Sequence, residues 1–169
     1  MNLLLWIAVA ALLPLRTVGI FASHTLDSGQ KSVIAAWLSN HPGYRLANDR
    51  DCSCDEDIKE MRAGDGGVWK PVPDYHPYIT SGDFNDDGSM DFAVVVINTR
   101  KAHDFTLLVF NGPLDVGHPV PAFVDRGDFA GIGLAYGPPR PKPYRLIIGR
   151  FASEGLLLQP RGKTYRLVE

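Results

Sequence analysis

Residues 82–97 read GDFNDDGSMDFAVVVI, a largely polar turn that runs directly into an unbroken apolar run. Oxygen-bearing side chains alternate with other residues in the turn, and Gly88 can reverse the chain there without a Cβ clash. Residues 92–97 are aromatic, β-branched or small at every position, which predicts a strand covered on both faces. The stretch therefore predicts two strands joined by an oxygen-rich turn.

The spacing of oxygens in this turn predicts a metal site. A calcium ion takes about six to eight oxygen ligands, and alternate residues of a tight loop can point their oxygens inward. Three carboxylates this close would repel one another unless a cation neutralised them. A metal-free Asp/Asn/Gly hairpin turn is the alternative. The predicted ligands are the side chains of Asp83, Asn85, Asp87 and Asp91 and the main-chain carbonyl of Ser89.

The position after the turn separates two classes of calcium loop. An EF-hand would carry a bidentate Glu at its twelfth position, which here is Val94 within the apolar run. The pattern D-x-N-x-D-G-x-x-D over residues 83–91 instead resembles the calcium loop of FG-GAP repeats, which occur in integrin α-subunit propellers and in secreted bacterial proteins. This resemblance implies a structural Ca²⁺ with Asp91 as the last carboxylate. A propeller is not predicted, because radial folds need about 4–8 blades and the sequence has one such loop.

The first 22 residues predict a signal peptide. Residues 3–13 are apolar throughout, which suits a signal-peptide core better than a membrane span of about 20 residues. Ile20 and Ala22 fit the −3 and −1 positions of a cleavage site. No Lys or Arg precedes the apolar run, so an uncleaved N-terminal anchor is the alternative. We expect residues 23–169 to form one extracytoplasmic domain, periplasmic or secreted, where disulfides persist.

The order of predicted elements indicates an α+β fold. A helix at residues 28–39 is capped by Asp27 or Ser28, and a second short helix follows Cys54 and ends at Gly64. We predict one mostly antiparallel, curved sheet of seven to eight strands with the first helix packed on it. A short extended piece precedes the second helix at residues 44–47. The predicted strands are residues 78–81, 91–98, 105–110, 120–124, 132–136, 144–151, 156–158 and 165–168.

Cys52 and Cys54 are the only cysteines, and one residue separates them. A local disulfide that pins the turn before the second helix is the first interpretation. A strained, reducible bridge would instead suit a thiol oxidoreductase. A third interpretation is metal ligation, although a zinc site needs more ligands than two thiolates. The last is that the thiols are free or pair with another molecule.

Residues 65–78 form a loop rich in Gly and Pro whose role the sequence leaves open. Its aromatic and imidazole side chains either line a ligand surface beside the metal loop or bury their rings as a strap over the sheet. These aromatic and imidazole side chains are those of Trp69, Tyr75, His76 and Tyr78.

The tripeptide at residues 126–128 reads Arg-Gly-Asp, which we interpret as a solvated turn.

Charge and motifs narrow the function classes. The net charge is −2 and basic residues do not cluster, so nucleic acid is not an expected partner. No Ser/His/Asp order, His-rich metal set or phosphate-binding glycine loop is present. The first hypothesis is a non-enzymatic, calcium-stabilised domain that binds a protein or cell-wall glycan. The second is a hydrolase with a cleft between His76 and the metal loop, in which Asp74 and Asp86 act as acid or base. The oligomeric state is not predicted.

Overall fold

The computed structural model describes residues 24–64, 70–137, 142–151 and 155–169. The predicted signal peptide, Trp69 and residues 138–141 lie outside these ranges. Within them the chain forms three helices and nine strands. The helices are α1 (Ser28–Ser39), α2 (Asp49–Cys52) and α3 (Asp55–Ala63). The strands are β1 (Tyr44–Leu46), β2 (Ile79–Gly82), β3 (Asp91–Asn98), β4 (Phe105–Phe110), β5 (Phe123–Gly127), β6 (Ile132–Ala135), β7 (Leu146–Arg150), β8 (Gly155–Arg161) and β9 (Thr164–Val168).

Helix α1 begins and ends where the sequence predicts. Asp27 is its N-cap: the carboxylate accepts from Gln30 N at 2.8 Å, and the Gln30 side chain accepts from Asp27 N at 3.0 Å. This reciprocal pair satisfies two backbone donors that the helix itself cannot. Val33, Ile34 and Trp37 are buried on the inner face. The amphipathic helix is therefore confirmed as one that packs on a sheet.

Strand β3 is the centre of a five-stranded antiparallel sheet. Strands β4 and then β5 follow on one side, while β1 and β2 share the other side, β1 opposite residues 96–98 and β2 opposite residues 91–94. One face of β3 packs against α1 through Phe92, Val94 and Val96. Residues 91–97 are all buried, which confirms the prediction that both faces of this strand are covered.

The prediction of a single sheet is wrong, because β6 to β9 form a second antiparallel sheet of four strands. After β5 the chain turns at Gly131, which has a φ of +71°, and starts a new layer at β6. Leu134, Leu146 and Leu158 of this layer join the same core as Ala93, Val95 and Val109 of the first sheet, so the second sheet covers the face that α1 leaves open. The two sheets remain open rather than closing into a barrel. The α+β class and the antiparallel order are confirmed.

Two local predictions also require correction. Strand β5 starts at Phe123 rather than at residue 120, since Pro121 has no N–H for a ladder, and it includes Arg126 and Gly127, which pair with β4 instead of forming a solvated turn. Helix α2 was not predicted. It is a single turn capped by Asn48, whose side chain accepts from Arg50 N at 3.0 Å, and is too short to show helical periodicity.

Candidate functional site

The predicted metal loop is the turn between β2 and β3. Gly82 and Asp91 are the last paired residues of the two strands, so residues 83–90 form the connection. Asp86 and Gly88 have left-handed φ values of +60° and +85°. Such values favour Gly and are tolerated by Asp, which explains why these residue types stand at the two reversals.

The first half of the loop directs two oxygens at one backbone donor. Asp87 N donates to Asp83 Oδ1 and to Asn85 Oδ1, both at 3.0 Å. The second oxygen of Asp83 accepts from Gly88 N at 2.9 Å. The loop therefore brings the first two predicted ligands, Asp83 and Asn85, to the same point of the turn.

Asp87 is held as a charged carboxylate. Its Oδ1 accepts from Ser89 N at 2.8 Å, and its Oδ2 accepts from the Asn85 amide at 3.0 Å. The bond from the Ser89 N–H is the main cause that lowers the pKa of Asp87 below its usual value. Asp87 therefore carries its negative charge at neutral pH on the exposed side of the loop.

Asp91, the last predicted ligand, is fully buried. Its Oδ2 accepts from Phe84 N and its Oδ1 from Gly112 N, both at 2.9 Å. The Tyr165 hydroxyl lies 3.2 Å from Asp91 Oδ2 and 2.6 Å from Asn111 Oδ1. Burial raises the pKa of Asp91 to about 6, although these hydrogen bonds favour its charged form. Asp91 thus ties the loop to the β4–β5 connection and to β9.

The oxygen donors of the loop are of the kind that calcium binds. In this structure, however, the side-chain oxygens accept hydrogen bonds from N–H groups of the loop itself. All predicted ligands are oxygens, and a carboxylate has about four lone-pair sites, so Asp83 and Asp87 keep sites free after their backbone bonds. Asp91 keeps fewer free lone-pair sites, because it accepts from two backbone N–H groups and lies beside the Tyr165 hydroxyl. Across the part of the chain that the structure describes, no group of three or more His, Cys, Asp or Glu side chains is arranged to hold a metal ion. The metal assignment, including the Ser89 carbonyl, stays a prediction.

Two residues that flank strands of the second sheet hold the loop, Tyr136 directly after β6 and Arg145 directly before β7, and the sequence analysis predicts neither contact. The Tyr136 hydroxyl donates to the carbonyl of Asp83 at 2.7 Å, and Arg145 donates to Asp86 at 2.7 Å. The partners are more than fifty residues apart in sequence. The Arg145 side chain is only 22% exposed and is paired with Asp86.

Cys52 and Cys54 form a disulfide, as the first interpretation predicted. The bridge joins the end of α2 to the N-cap of α3 across Ser53, which has a left-handed φ of +56°. Cys52 is fully buried and Cys54 is 5% exposed. The carbonyl of Cys52 accepts from Gly131 N at 2.6 Å, so the bridged turn also contacts the chain between the two sheets. This burial favours a structural bridge over a reactive one.

We expect the double variant Cys52→Ala/Cys54→Ala to lose about 2 kcal/mol of unfolding free energy, because a ring closed across so few residues restricts the unfolded chain only modestly. Urea unfolding monitored by circular dichroism measures this. Wild type in reductant should approach the variant's stability, and the variant should not respond to reductant. A bridge that a glutathione buffer opens in the folded protein would contradict the structural role and favour the thiol oxidoreductase.

His76 does not contact the acids that the hydrolase hypothesis named. Its Nδ1 lies 2.8 Å from Asp49 Oδ1, and Arg62 binds the other oxygen of Asp49 at 2.6 Å. Asp74 is exposed, and Asp86 pairs with Arg145. His76 lines a groove of about 430 Å³ beside α1.

The neighbouring tyrosines bury their rings. Tyr75 and Tyr78 are each 1% exposed, and the Tyr78 hydroxyl donates to the carbonyl of Phe129 at 2.9 Å. Burial raises the pKa of both tyrosines above the usual value. This part of the loop therefore acts as a strap over the core, as one of the two interpretations predicted.

Comparison with known proteins identifies no relative: no protein-family description, curated protein or solved structure matches the chain significantly. None of the helices in the described ranges is both long and apolar enough to span a bilayer.

Proposed function

We propose that this chain is an exported, non-enzymatic binding domain that calcium stabilises, with a protein or cell-wall glycan as its partner. The observation that carries the proposal is the β2–β3 loop, where Asp83, Asn85 and Asp87 present oxygens within one turn of the buried Asp91. A cation there would neutralise three carboxylates that otherwise repel one another. Export rests on the apolar segment at residues 3–13.

Calcium at this loop would act on the whole fold. Asp83, Asn85, Asp87 and Asp91 and the Ser89 carbonyl would hold the ion. The loop also contacts Tyr136 and Arg145, which flank β6 and β7 of the second sheet, and Asp91 lies near Tyr165 of β9. Fixing the loop would therefore fix contacts between the two sheets, which is a structural rather than a regulatory role. An extracellular calcium module needs a Kd of only about 10⁻⁴–10⁻³ M.

Addition of 10 mM CaCl₂ (roughly 10–100 times that Kd range) is expected to stabilise the protein by about 1.4–2.7 kcal/mol, seen as a higher melting temperature in scanning calorimetry. Asp87→Ala should abolish the rise, and so should Asp87→Asn, which keeps an acceptor for Ser89 N but removes the charge.

The matched control is Asp86→Asn. Asp86 belongs to the same loop and carries the same charge, but it pairs with Arg145 and is not a predicted ligand. Asn tolerates its left-handed φ of +60°. This variant should keep the calcium response. Equal loss of the calcium response in Asp86→Asn and Asp87→Asn would indicate general charge screening. A wild-type protein that does not respond to calcium would refute the proposal.

A hydrolase is the second candidate, and one observation favours it. Asp49 holds the ring of His76 at 2.8 Å, and Arg62 in turn holds Asp49, at the wall of a groove. This is the arrangement of an oriented general base. Turnover of ester or glycoside substrates that His76→Ala removes and Asp74→Ala retains would favour this candidate over the binding domain.

A further inference from the structure

The groove beside α1 lies where β1 and β2 meet along the outer edge of β3. The β1 ladder ends at the pair Leu46–Val96, and the β2 ladder begins at the pair Ile79–Val94. Paired residues of antiparallel strands point to the same face, so Leu46 and Ile79 face α1 together with the buried Val94 and Val96. The groove is lined by His24, Thr25, Leu26, Lys31, Ile34, Ala35, Leu38, Leu46, His76 and Ile79.

One side of the groove is an apolar channel. The helix contributes Ile34, Ala35 and Leu38, which lie on one face at helical spacing, and the sheet contributes Leu46 and Ile79. Ala35 is exposed, and Leu46 and Ile79 are only half-buried, so apolar surface stays in contact with water. Covering it with an aliphatic chain is favourable in proportion to the area removed from water.

The groove has a polar end and an apolar end. Gln30 donates to the Ser81 hydroxyl at 3.1 Å, which places the start of α1 over the end of β2. At the other end Trp37 contacts Tyr44 of β1, with ring centroids 5.8 Å apart. Lys31 therefore lies near β2, and Leu38 follows about 10 Å further along the helix.

The ionisable groups of the groove are all bases. Lys31 is exposed, while His24 is buried with Nδ1 2.8 Å from the carbonyl of Ile79. The acids near the histidines lie outside the groove: Asp49 is paired with Arg62, and Asp74 is exposed. No Asp or Glu is among the described residues that line the groove, but burial lowers the pKa of His24 and Asp49 binds His76, so the positive charge that complements an anion is that of Lys31.

We propose that this groove binds a free aliphatic carboxylic acid, with its chain along Ile34, Ala35, Leu38, Leu46 and Ile79 and its carboxylate at Lys31. A volume of about 430 Å³ lies in the lower part of the range for small-ligand sites, which suits a medium-length chain. None of these residues belongs to the β2–β3 loop, so the groove proposal and the calcium proposal can fail independently.

Isothermal titration calorimetry on the protein purified after export by its expression host tests the ligand class. Hexanoate, octanoate and decanoate are titrated below their micelle concentrations, in EDTA. We expect affinity to rise about fourfold per added methylene until the channel is filled. Decylamine, with the same chain and opposite charge, should bind at least about tenfold more weakly than decanoate.

Two pairs of variants localise the binding. Ala35→Trp fills the channel from the helix and should abolish decanoate binding, whereas Ser32→Trp, exposed on the same helix and outside the groove, should not. Lys31→Glu should weaken decanoate about tenfold and strengthen decylamine, while Lys59→Glu on α3 changes neither. Lys31 is exposed, so this pair decides the question even where Ala35→Trp fails to fold.

Three results would overturn the proposal. Equal affinity for decanoate and decylamine would mean that the groove is an apolar surface without selection for an anion. Equal loss of binding in Ala35→Trp and Ser32→Trp would place the ligand elsewhere. Binding to phosphatidylglycerol vesicles without binding to decanoate would identify a lipid surface as the partner instead of a free acid.

Discussion

Asp91→Ala is expected to lower the free energy of unfolding by about 3–5 kcal/mol even in the absence of calcium. The carboxylate is fully buried and accepts from Phe84 N and Gly112 N. Removing it leaves the buried N–H of Phe84 and the partly buried N–H of Gly112 without a partner, together with a cavity, and each unpaired donor costs about 1–3 kcal/mol. The loss should therefore be far larger than that of any exposed loop carboxylate.

Urea unfolding in EDTA and in 10 mM CaCl₂ separates the two roles of Asp91. In EDTA the loss should already be present, because the hydrogen bonds of Asp91 are made within the protein itself. In calcium it should grow by the stabilisation that the ion gives to wild type. Asp74→Ala, an exposed carboxylate, serves as the matched control and should change stability by less than about 0.5 kcal/mol. A loss seen only in calcium would mean that Asp91 acts solely as a metal ligand.

Local signals were enough to predict most elements of the first sheet. Helix α1 has a capping pair and an apolar face within twelve residues, and β3 and β4 are continuous apolar runs ended by polar turns. The bounds of all three agree with the sequence analysis. The full burial of β3 was also predicted, since a strand that is apolar at every position needs cover on both faces.

The sequence does not predict that a second sheet covers the face of β3 opposite α1. Strands β6 to β9 are short, and a strand's sequence does not state which sheet it joins, because pairing depends on contacts between distant residues. Between β5 and β6 the chain buries Phe129 and turns at Gly131, and β6 pairs with β7 instead of β5. The result is a second sheet against the first instead of one curved sheet.

The candidate site, like the fold, was predictable from the sequence only in part. Its oxygens are all within nine residues and were read from their spacing, whereas the residues that hold the loop come from other parts of the fold. Gly112 and Tyr165 contact Asp91 from 21 and 74 residues away, and Tyr136 contacts the carbonyl of Asp83 from 53 residues away. No motif marks these positions, since a tyrosine hydroxyl or a backbone N–H can serve any nearby acceptor.

Because the residues that hold the loop come from distant parts of the chain, the loop links the two sheets. A calcium ion held by a free, solvated turn would stabilise little beyond the turn itself. Here the loop backbone is bonded to Tyr136, which follows β6, and its exposed Asp86 is bonded to Arg145, which precedes β7 of the second sheet. A change that breaks the hydrogen bond of Tyr136 to the Asp83 carbonyl should therefore affect stability and calcium response together, whereas Asp86→Asn keeps an acceptor for Arg145.

Gly82→Ala is the sharpest test of that coupling, with an expected loss of about 2–4 kcal/mol of unfolding free energy. A Cβ at Gly82 would overlap the ring of Tyr136, which must then shift and lose its hydrogen bond to Asp83. Urea unfolding gives the loss, and calorimetry should show a smaller calcium response than in wild type. Gly43→Ala is the control, since no atom lies within 4 Å of a Cβ there.

A double-mutant cycle identifies the cause of the Gly82→Ala loss. In a Tyr136→Ala background the ring is absent, so the added methyl group at residue 82 has nothing to displace and should cost much less than it does in wild type. Contacting residues show such non-additivity, by about 0.5–3 kcal/mol. Strictly additive losses would mean that the cost of Gly82→Ala does not arise from the ring of Tyr136, and that this ring does not couple β2 to the loop.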